Sequence, residues 1–411
     1  MFVPHDMGDV VCISISFDVG MDTCGDFKTA QLAHFVEHLC ATFTDDEQRA
    51  LKLASVHHNA WTDDKVTCYY AVGFVDAVVQ LWLPLIRRGV TAPVLSDRTL
   101  RVEANAACTE LKLAMQVPTR QLDECVARVE TPYSGWSDTA AQVEFLEGVA
   151  RAPAKQTRAT VRRFIARHYH RRAHTMAVGH VRHRETIGAA VAAVGHAPMR
   201  IAAHDATTSS RFGYGARHDV VASGTTAHVE VRLALRDTNA ARFAMVSTCA
   251  ASILQNALFH ALRTGMGAVY GVTVGALRYA CNRTERASGR YRAWMCVRTS
   301  CDAERVDEVV EAVLRVARGY HADAQQIAGW RRAEHVSSHA APASIAELMM
   351  EWVRASAEQR AIETPPQHLL AVERMVDGDV HALFASMRSD VEAGRYVVYC
   401  ALPPRRRPEM D

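Results

Sequence analysis

Hydrophobic and polar positions follow two kinds of spacing along this chain, and each kind predicts a different element. Residues 10–18 are apolar and rich in β-branched side chains, as is typical of a strand. Residues 28–42 instead place apolar side chains three or four positions apart, which predicts a helix with one buried face. The further elements predicted in the first half are a strand at 67–74, helices at 75–88 and 98–116, more helices up to residue 168, and a strand at 175–181.

The same series recurs in the second half, after residues 182–215, which lose periodicity and which we interpret as a linker. The elements predicted beyond it are strands at 227–235, 268–274, 290–298 and 395–402 and helices at 240–263, 306–318 and 324–336. Strands mixed with helices, twice over, predict an α+β fold. We expect two similar domains, at residues 1–181 and 216–411, each with a β-sheet packed against helices.

Length and composition agree with two globular domains. The 411 residues exceed what one hydrophobic core usually organises. A hydrophobic content of 49% with 22% charged residues excludes disorder as the main state of the chain. A net charge of +2 gives no electrostatic reason to expect nucleic acid or an anionic membrane as a partner.

The cysteines and the first residues bear on location. Eleven cysteines, an odd number without a C-x-x-C pair, suit free thiols in a reducing compartment. The N-terminal sequence resembles neither a secretory signal nor an amphipathic presequence, and no apolar run approaches a membrane span. These features predict an intracellular, cytoplasmic protein.

The pentapeptide H-F-V-E-H at residues 34–38 lies on the first predicted helix. His34 and His38 are one turn apart there, so their imidazoles project from the same face and can reach one metal ion. Glu37 lies beside them, where a carboxylate can take a proton from water. This is the inverted order of a zinc peptidase motif.

A catalytic zinc also needs a third protein ligand. The helix predicted at 98–116 offers Glu103 and Glu110, which are almost two turns apart and therefore on one face. Alone, such a pair indicates a solvated helix face. Beside the histidine motif, one carboxylate can complete the zinc site while the other holds a ligand by a hydrogen bond.

The order and spacing of these residues resemble the M16 zinc peptidases, the family of pitrilysin, insulysin and the mitochondrial processing peptidase. Residues 33–39, A-H-F-V-E-H-L, are similar to the family motif around its histidine pair. The N-A-W-T segment at residues 59–62 is similar to the family's N-A-x-T, and Glu103 and Glu110 match its E-x6-E. The resemblance spans nearly the whole chain.

The resemblance implies a role for each of these residues. In the family, the second Glu of E-x6-E binds zinc, and N-A-x-T holds the substrate backbone as an added edge strand. Transferred to this chain, the roles are zinc binding by His34, His38 and Glu110, proton transfer by Glu37, support of a ligand by Glu103, and substrate binding by Asn59 and Ala60.

A segment of the second half, residues 262–270, is similar to the family's L-R-E-x-x-G-x-x-Y. Its Arg263 and Tyr270 correspond to the arginine and tyrosine that reach the substrate carbonyl near the zinc, whereas Thr264 replaces the family's glutamate. In the family, this segment acts on the zinc of the opposite half.

Three departures from the family are visible. His57 and His58 stand where the family has a Gly-Gly pair, which bears on the pairing of the substrate strand. A second metal site there is disfavoured, because adjacent residues of a strand point to opposite faces. Gln31 replaces a family glycine, and the family's first strand is expected to be missing or trimmed.

The resemblance implies a zinc metalloendopeptidase with one Zn²⁺ per chain, which hydrolyses unstructured peptides or precursor segments held in a chamber. Half-length members associate in pairs, so we expect a dimer. Because the zinc motif and Arg263/Tyr270 occur on one chain, a homodimer is favoured over a heterodimer with another M16-type chain.

Two other functions compete with this one. The family also contains retired structural or partner subunits, which commonly lose zinc residues, whereas this chain keeps them. A metal or redox module built on the cysteines would need clustered thiols, and those of this chain are dispersed.

Overall fold

The structure is a computed structural model. The residues that it describes are 1–5, 8–24, 29–130, 138–169, 173–192, 213–236, 240–279, 292–340, 349–350, 352–353 and 365–404.

Two compact units make up the chain, and neither is continuous in sequence. Unit 1 comprises Met1–Lys112, Asp138–His204 and Pro342–Glu363, and unit 2 comprises Leu113–Ser137, Asp205–Ala341 and Thr364–Asp411. These units differ from the two continuous domains expected from the sequence. The predicted linker 182–215 also contains a helix, Arg184–Ala192, and its residues 193–212 lie outside the described part of the chain.

The sheet of unit 1 has five strands in the order β1-β5-β2-β4-β3. The short first strand pairs in parallel with β5, and the other neighbours are antiparallel. The strands are β1 (Phe2–Pro4), β2 (Val10–Phe17), β3 (His57–Thr62), β4 (Thr67–Phe74) and β5 (Ala173–Gly179).

The sheet of unit 2 repeats this arrangement with the order β6-β10-β7-β9-β8. Again the first strand in sequence pairs in parallel with the last, and the other pairs are antiparallel. The strands are β6 (Arg217–Val221), β7 (Ala227–Leu235), β8 (Val269–Tyr279), β9 (Arg292–Cys301) and β10 (Tyr396–Leu402).

Helices connect the strands in both halves of the chain. In the first half they are α1 (Gln31–Ala41), α2 (Asp45–Leu53), α3 (Val75–Ala77), α4 (Leu83–Thr91), α5 (Asp97–Met115), α6 (Pro118–Glu130), α7 (Thr139–Arg151), α8 (Ala154–His168) and α9 (Arg184–Ala192). In the second half they are α10 (Ala240–Phe259), α11 (Val306–Gly319), α12 (Ala324–Ala340), α13 (Pro365–Arg374) and α14 (Asp377–Glu392).

The predicted α+β fold of two similar domains is confirmed by these two sheets of identical topology. A first strand is present as β1, so of the two alternatives for this strand the structure shows a short one of three residues rather than its loss. Within the described ranges, a short π-helix at Val78–Trp82 lies between α3 and α4, and another at His260–Gly265 follows α10.

The central strand of unit 1 is buried on both faces, which explains its continuous apolar sequence. Ile13 and Ile15 of β2 face the core shared with α1. Cys12 faces the other side, where Met349 and Trp352 cover the sheet. The helix that carries residues 34–38 therefore shares a core with a strand that is covered on both faces.

One helical stretch among the described residues, Phe243–Gly265, is long and apolar enough to cross a membrane. Half of it is buried, and Leu254, Leu258 and Leu262 lie in the core of unit 2. A core helix passes this test of length and composition as readily as a membrane span does. The intracellular location stays a prediction.

Candidate metal centre

Helix α1 buries one set of apolar side chains in the core of unit 1 and carries the two histidines of the motif on another side. Ala33, Val36 and Leu39 pack into the core of unit 1. His34 and His38 are one turn apart and lie on the side of the helix that meets α5. The helix thus anchors by its apolar side chains and presents two imidazoles together.

Three ligand atoms form a nearly equilateral triangle. The distances are 3.1 Å between the Nε2 atoms of His34 and His38, 3.3 Å from His34 Nε2 to Glu110 Oε2, and 3.5 Å from His38 Nε2 to the same oxygen. Zinc with ligands at 2.0–2.1 Å in tetrahedral geometry holds neighbouring ligand atoms about 3.3 Å apart. The donor set and its spacing therefore fit a zinc ion.

Among the described residues, this is the one group of three His, Cys, Asp or Glu side chains close enough to hold a metal. The described cysteines have free thiols. His57 and His58 are not part of the group.

Glu103 contacts the ring nitrogen of His38 that faces away from Glu110. His38 Nδ1 donates to Glu103 Oε2 over 3.3 Å. Thr42 fixes the other carboxylate oxygen, since its hydroxyl lies 3.2 Å from Glu103 Oε1 and 2.9 Å from the carbonyl oxygen of His38. Glu110 thus belongs to the triangle, whereas Glu103, on the same helix, contacts the other ring nitrogen of His38.

Gln31 plays the matching part for the other histidine, and sequence reasoning missed it. His34 Nδ1 donates to Gln31 Oε1 over 2.8 Å. The amide nitrogen of Gln31 donates to Gln142 Oε1 of α7, also over 2.8 Å. The one signal in the sequence was the replacement of the glycine that the resemblance places at this position.

Glu37 is buried, with 6% of its surface exposed, although its neighbours in the motif line the site. Burial raises the pKa of its carboxyl group, and the nearby charges of His34 and His38 partly oppose that rise. Oε2 of Glu37 accepts a hydrogen bond from the hydroxyl of Thr62 on β3, over 2.8 Å. A carboxyl group in such surroundings is a stronger base than a solvated one.

Electrostatics link the triangle's members to one another. Burial lowers the pKa of His38, but the hydrogen bond to Glu103 and the adjacent carboxylates outweigh this, so the net pKa is raised. The contact with His34 lowers the pKa of Glu110, which favours its ionised form. Negative charge is therefore concentrated where a cation would bind.

Strand β3 carries Asn59 and Ala60 at the edge of the sheet, next to Thr62. The amide of Ala60 donates to the side-chain oxygen of Asn59 over 2.9 Å. In place of glycines, His57 and His58 are exposed, and the ring of His58 stacks edge-on against Phe43 at 5.3 Å. The strand still ends the sheet of unit 1 within the described residues.

Arg263 and Tyr270 lie in unit 2, whereas the triangle belongs to unit 1. Arg263 lies in the last turn of the π-helix His260–Gly265, which follows α10, and Tyr270 is near the start of β8. The guanidinium carbon lies 5.4 Å from the centre of the tyrosine ring. Tyr270 is 84% exposed, so its hydroxyl is accessible to a ligand.

No protein-family model and no curated protein matches this sequence. Solved structures do. The inactive domain of an M16 peptidase from Pseudomonas fluorescens superposes with a TM-score of 0.71 at 15% identity, covering 99% of this chain and 96% of that one. A protease from Helicobacter pylori gives 0.71 at 12% identity, covering 98% and 96%.

Pitrilysin also matches, with a TM-score of 0.71 at 17% identity. The alignment covers 99% of this chain and 44% of the pitrilysin chain. The chain therefore has the two-domain α+β fold of the M16 peptidase structures.

Proposed function

We propose that this chain is a zinc-dependent endopeptidase of the M16 type. The observation that carries the proposal is the triangle of His34, His38 and Glu110, whose spacing fits zinc. A similar structure is described as an inactive domain. Here, however, the ligand set, the adjacent Glu37 and the supporting Glu103 occur together.

In this proposal His34, His38 and Glu110 hold the zinc. When bound, the ion would polarise the scissile carbonyl and make water acidic enough to attack near neutral pH. Glu110 is 61% exposed while the two imidazoles are largely covered, so the ligand set opens to solvent on the side of Glu110. A substrate can approach from that side.

Glu37 serves as the general base. Its carboxylate accepts the proton of the attacking water and passes it to the departing amine. Burial raises the pKa of the Glu37 carboxyl group, which favours the first transfer, while the hydroxyl of Thr62 donates to Oε2 and orients it. The second transfer returns the carboxylate to its starting state.

The edge strand β3 would bind the peptide. An extended segment can pair with the unpartnered side of an edge strand through main-chain hydrogen bonds, which explains acceptance of varied sequences. Asn59 and Ala60 lie on this strand three and two positions before Thr62, which contacts Glu37. Pairing along β3 would thus lead the peptide towards the base.

Arg263 and Tyr270 would stabilise the oxyanion that forms on the scissile carbonyl. The proposal follows the resemblance and draws support from the exposure of Tyr270. It includes a homodimer in which each chain supplies these residues to its partner's zinc. Mixed dimers of Glu37→Gln and Tyr270→Phe chains should then recover about a quarter to a half of wild-type activity, whereas inactive mixtures would contradict the sharing of sites.

The experiment that tests the function is mass spectrometry of unfolded peptides incubated with the zinc-loaded protein. Glu37→Gln, which keeps the ligand set, is the matched control. Cleavage by the wild type alone supports the endopeptidase. Folded, zinc-bound wild type that cleaves nothing would favour a retired partner subunit.

A further inference from the structure

We propose that Gln31 and Gln142 form a buried amide pair that positions His34 for metal binding. Neither residue touches substrate or metal in this account, so both are positioning residues. The inference rests on the proposed zinc site, and it goes beyond the ligand set and the Glu103 support that the sequence predicts.

Both amides are almost completely buried. Gln31, in the first turn of α1, is 1% exposed, and Gln142 of α7 is 0% exposed. A buried amide left without partners destabilises the fold, so such groups persist where their hydrogen bonds are made. The hydrogen bond from Gln31 to Gln142 and the one from His34 to Gln31 are each 2.8 Å long.

The chain of hydrogen bonds has a fixed direction. Gln142 Oε1 accepts from the amide nitrogen of Gln31, which turns the oxygen of Gln31 towards His34. An oxygen there accepts only from a protonated Nδ1. His34 is therefore held as the Nδ1–H tautomer, whose Nε2 lone pair points into the triangle.

The two histidines are thus supported differently. His38 donates to the carboxylate of Glu103 over 3.3 Å, and His34 donates to a neutral amide over 2.8 Å. Carboxylates of Glu37, Glu103 and Glu110 already surround the imidazoles. An amide fixes the ring of His34 without adding a fourth negative charge to this small volume.

The test measures zinc affinity by chelator competition and the absorption spectrum of the cobalt-substituted protein. Gln31→Met keeps the length of the side chain but accepts no such hydrogen bond. We expect a loss of affinity of about 10- to 100-fold and an altered cobalt spectrum. Gln31→Glu restores an acceptor for His34 but loses the donor to Gln142, so its loss of affinity should be smaller than that of Gln31→Met.

Gln142→Met tests the direction of the chain from a residue that does not contact His34. Because it releases the amide of Gln31 to rotate, affinity should fall in the same sense but by less. Gln255→Met in unit 2, where Gln255 Oε1 accepts from the Val274 amide, is the matched control and should leave affinity unchanged. Unfolding curves of the metal-free variants show that each is folded.

Wild-type affinity and cobalt spectra in both Gln31→Met and Gln142→Met would overturn the inference while leaving the zinc site intact. Equal losses in Gln31→Glu and Gln31→Met would also overturn it, since the acceptor would not matter. Failure of the wild type to bind zinc would instead contradict the proposed function.

Discussion

Two helices in equivalent places of the two units differ in what they bury. Helix α1 follows β2 and precedes β3, and α10 follows β7 and precedes β8. Along α1, the buried residues include Gln31 and Glu37, whereas along residues 243–259 of α10, whose burial is described, the buried side chains are apolar apart from Ser247. Since both helices support the same sheet topology, the fold does not require the polar residues of α1, and the proposed zinc site gives a reason for their presence.

A second contrast concerns buried carboxylates. In unit 2, Glu230 and Glu130 are buried but each contacts the guanidinium of Arg232 at 2.5 Å. Tyr399 also donates to Glu130 over 2.8 Å. Such compensated charges hold α6 against its sheet. In unit 1, Glu37 has a hydroxyl and two imidazoles for neighbours, an arrangement that suits proton transfer.

The largest effect is expected from Glu37→Gln. Loss of the base should lower kcat/KM by about 10²- to 10⁴-fold while zinc content stays at one per chain. Paired assays of peptide cleavage and metal content check this. Glu47→Gln, which alters a surface ion pair with Arg88, is the control and should leave cleavage unchanged. Wild-type rates for Glu37→Gln would contradict the role of Glu37 as the base and leave no functional difference from Glu130 and Glu230.

Arg232→Met probes the structural carboxylates in the same way. It leaves Glu130 and Glu230 buried without their shared cation, so the free energy of unfolding should fall by about 3–5 kcal/mol. Denaturant unfolding measures this. Zinc affinity should be unchanged at temperatures where the protein is folded. A stability equal to wild type would show that these charges are not mutually compensated.

Substitutions of Glu103 and Glu110 distinguish the residue that supports a metal ligand from the residue that binds the metal. Glu110→Ala should abolish stoichiometric zinc binding because it removes a ligand atom. Glu103→Ala should weaken affinity by about 10- to 100-fold and leave a metal-loaded protein at saturating zinc. Metal analysis after dialysis against graded zinc distinguishes them. Loss of zinc in Glu103→Ala with a dispensable Glu110 would reverse the assignment.

Thr62→Val gives the smallest expected effect. The substitution keeps a β-branched shape on β3 but removes the donor to Glu37, so kcat should fall by roughly tenfold with KM little changed. Steady-state kinetics with a peptide identified as a substrate check this. An unchanged kcat would mean that packing alone orients Glu37.

The sequence predicted the repeated fold well because its buried strands have strong patterns. The strand predicted at 67–74 and the helix predicted at 98–116 agree with β4 and α5. The pattern does not predict β3, whose side chains are exposed or half-buried at the sheet edge and carry no alternation. That strand was expected only through the resemblance.

The site residues also divide into those that the sequence predicts and one that only the structure shows. Helical spacing brings His34 and His38 together, and the resemblance chooses Glu110 over Glu103. Gln31 could not be found from the sequence, because a glutamine in a first helical turn usually faces solvent. Its burial depends on α7, whose Gln142 is 111 residues away along the chain.

X-ray absorption at the zinc edge of the zinc-loaded protein tests the central claim most directly. The account predicts a four-coordinate ion with nitrogen and oxygen ligands at about 2.0–2.1 Å and the multiple scattering of two imidazoles. Sulfur at about 2.3 Å would contradict it, because the metal would then lie on cysteines rather than on His34, His38 and Glu110.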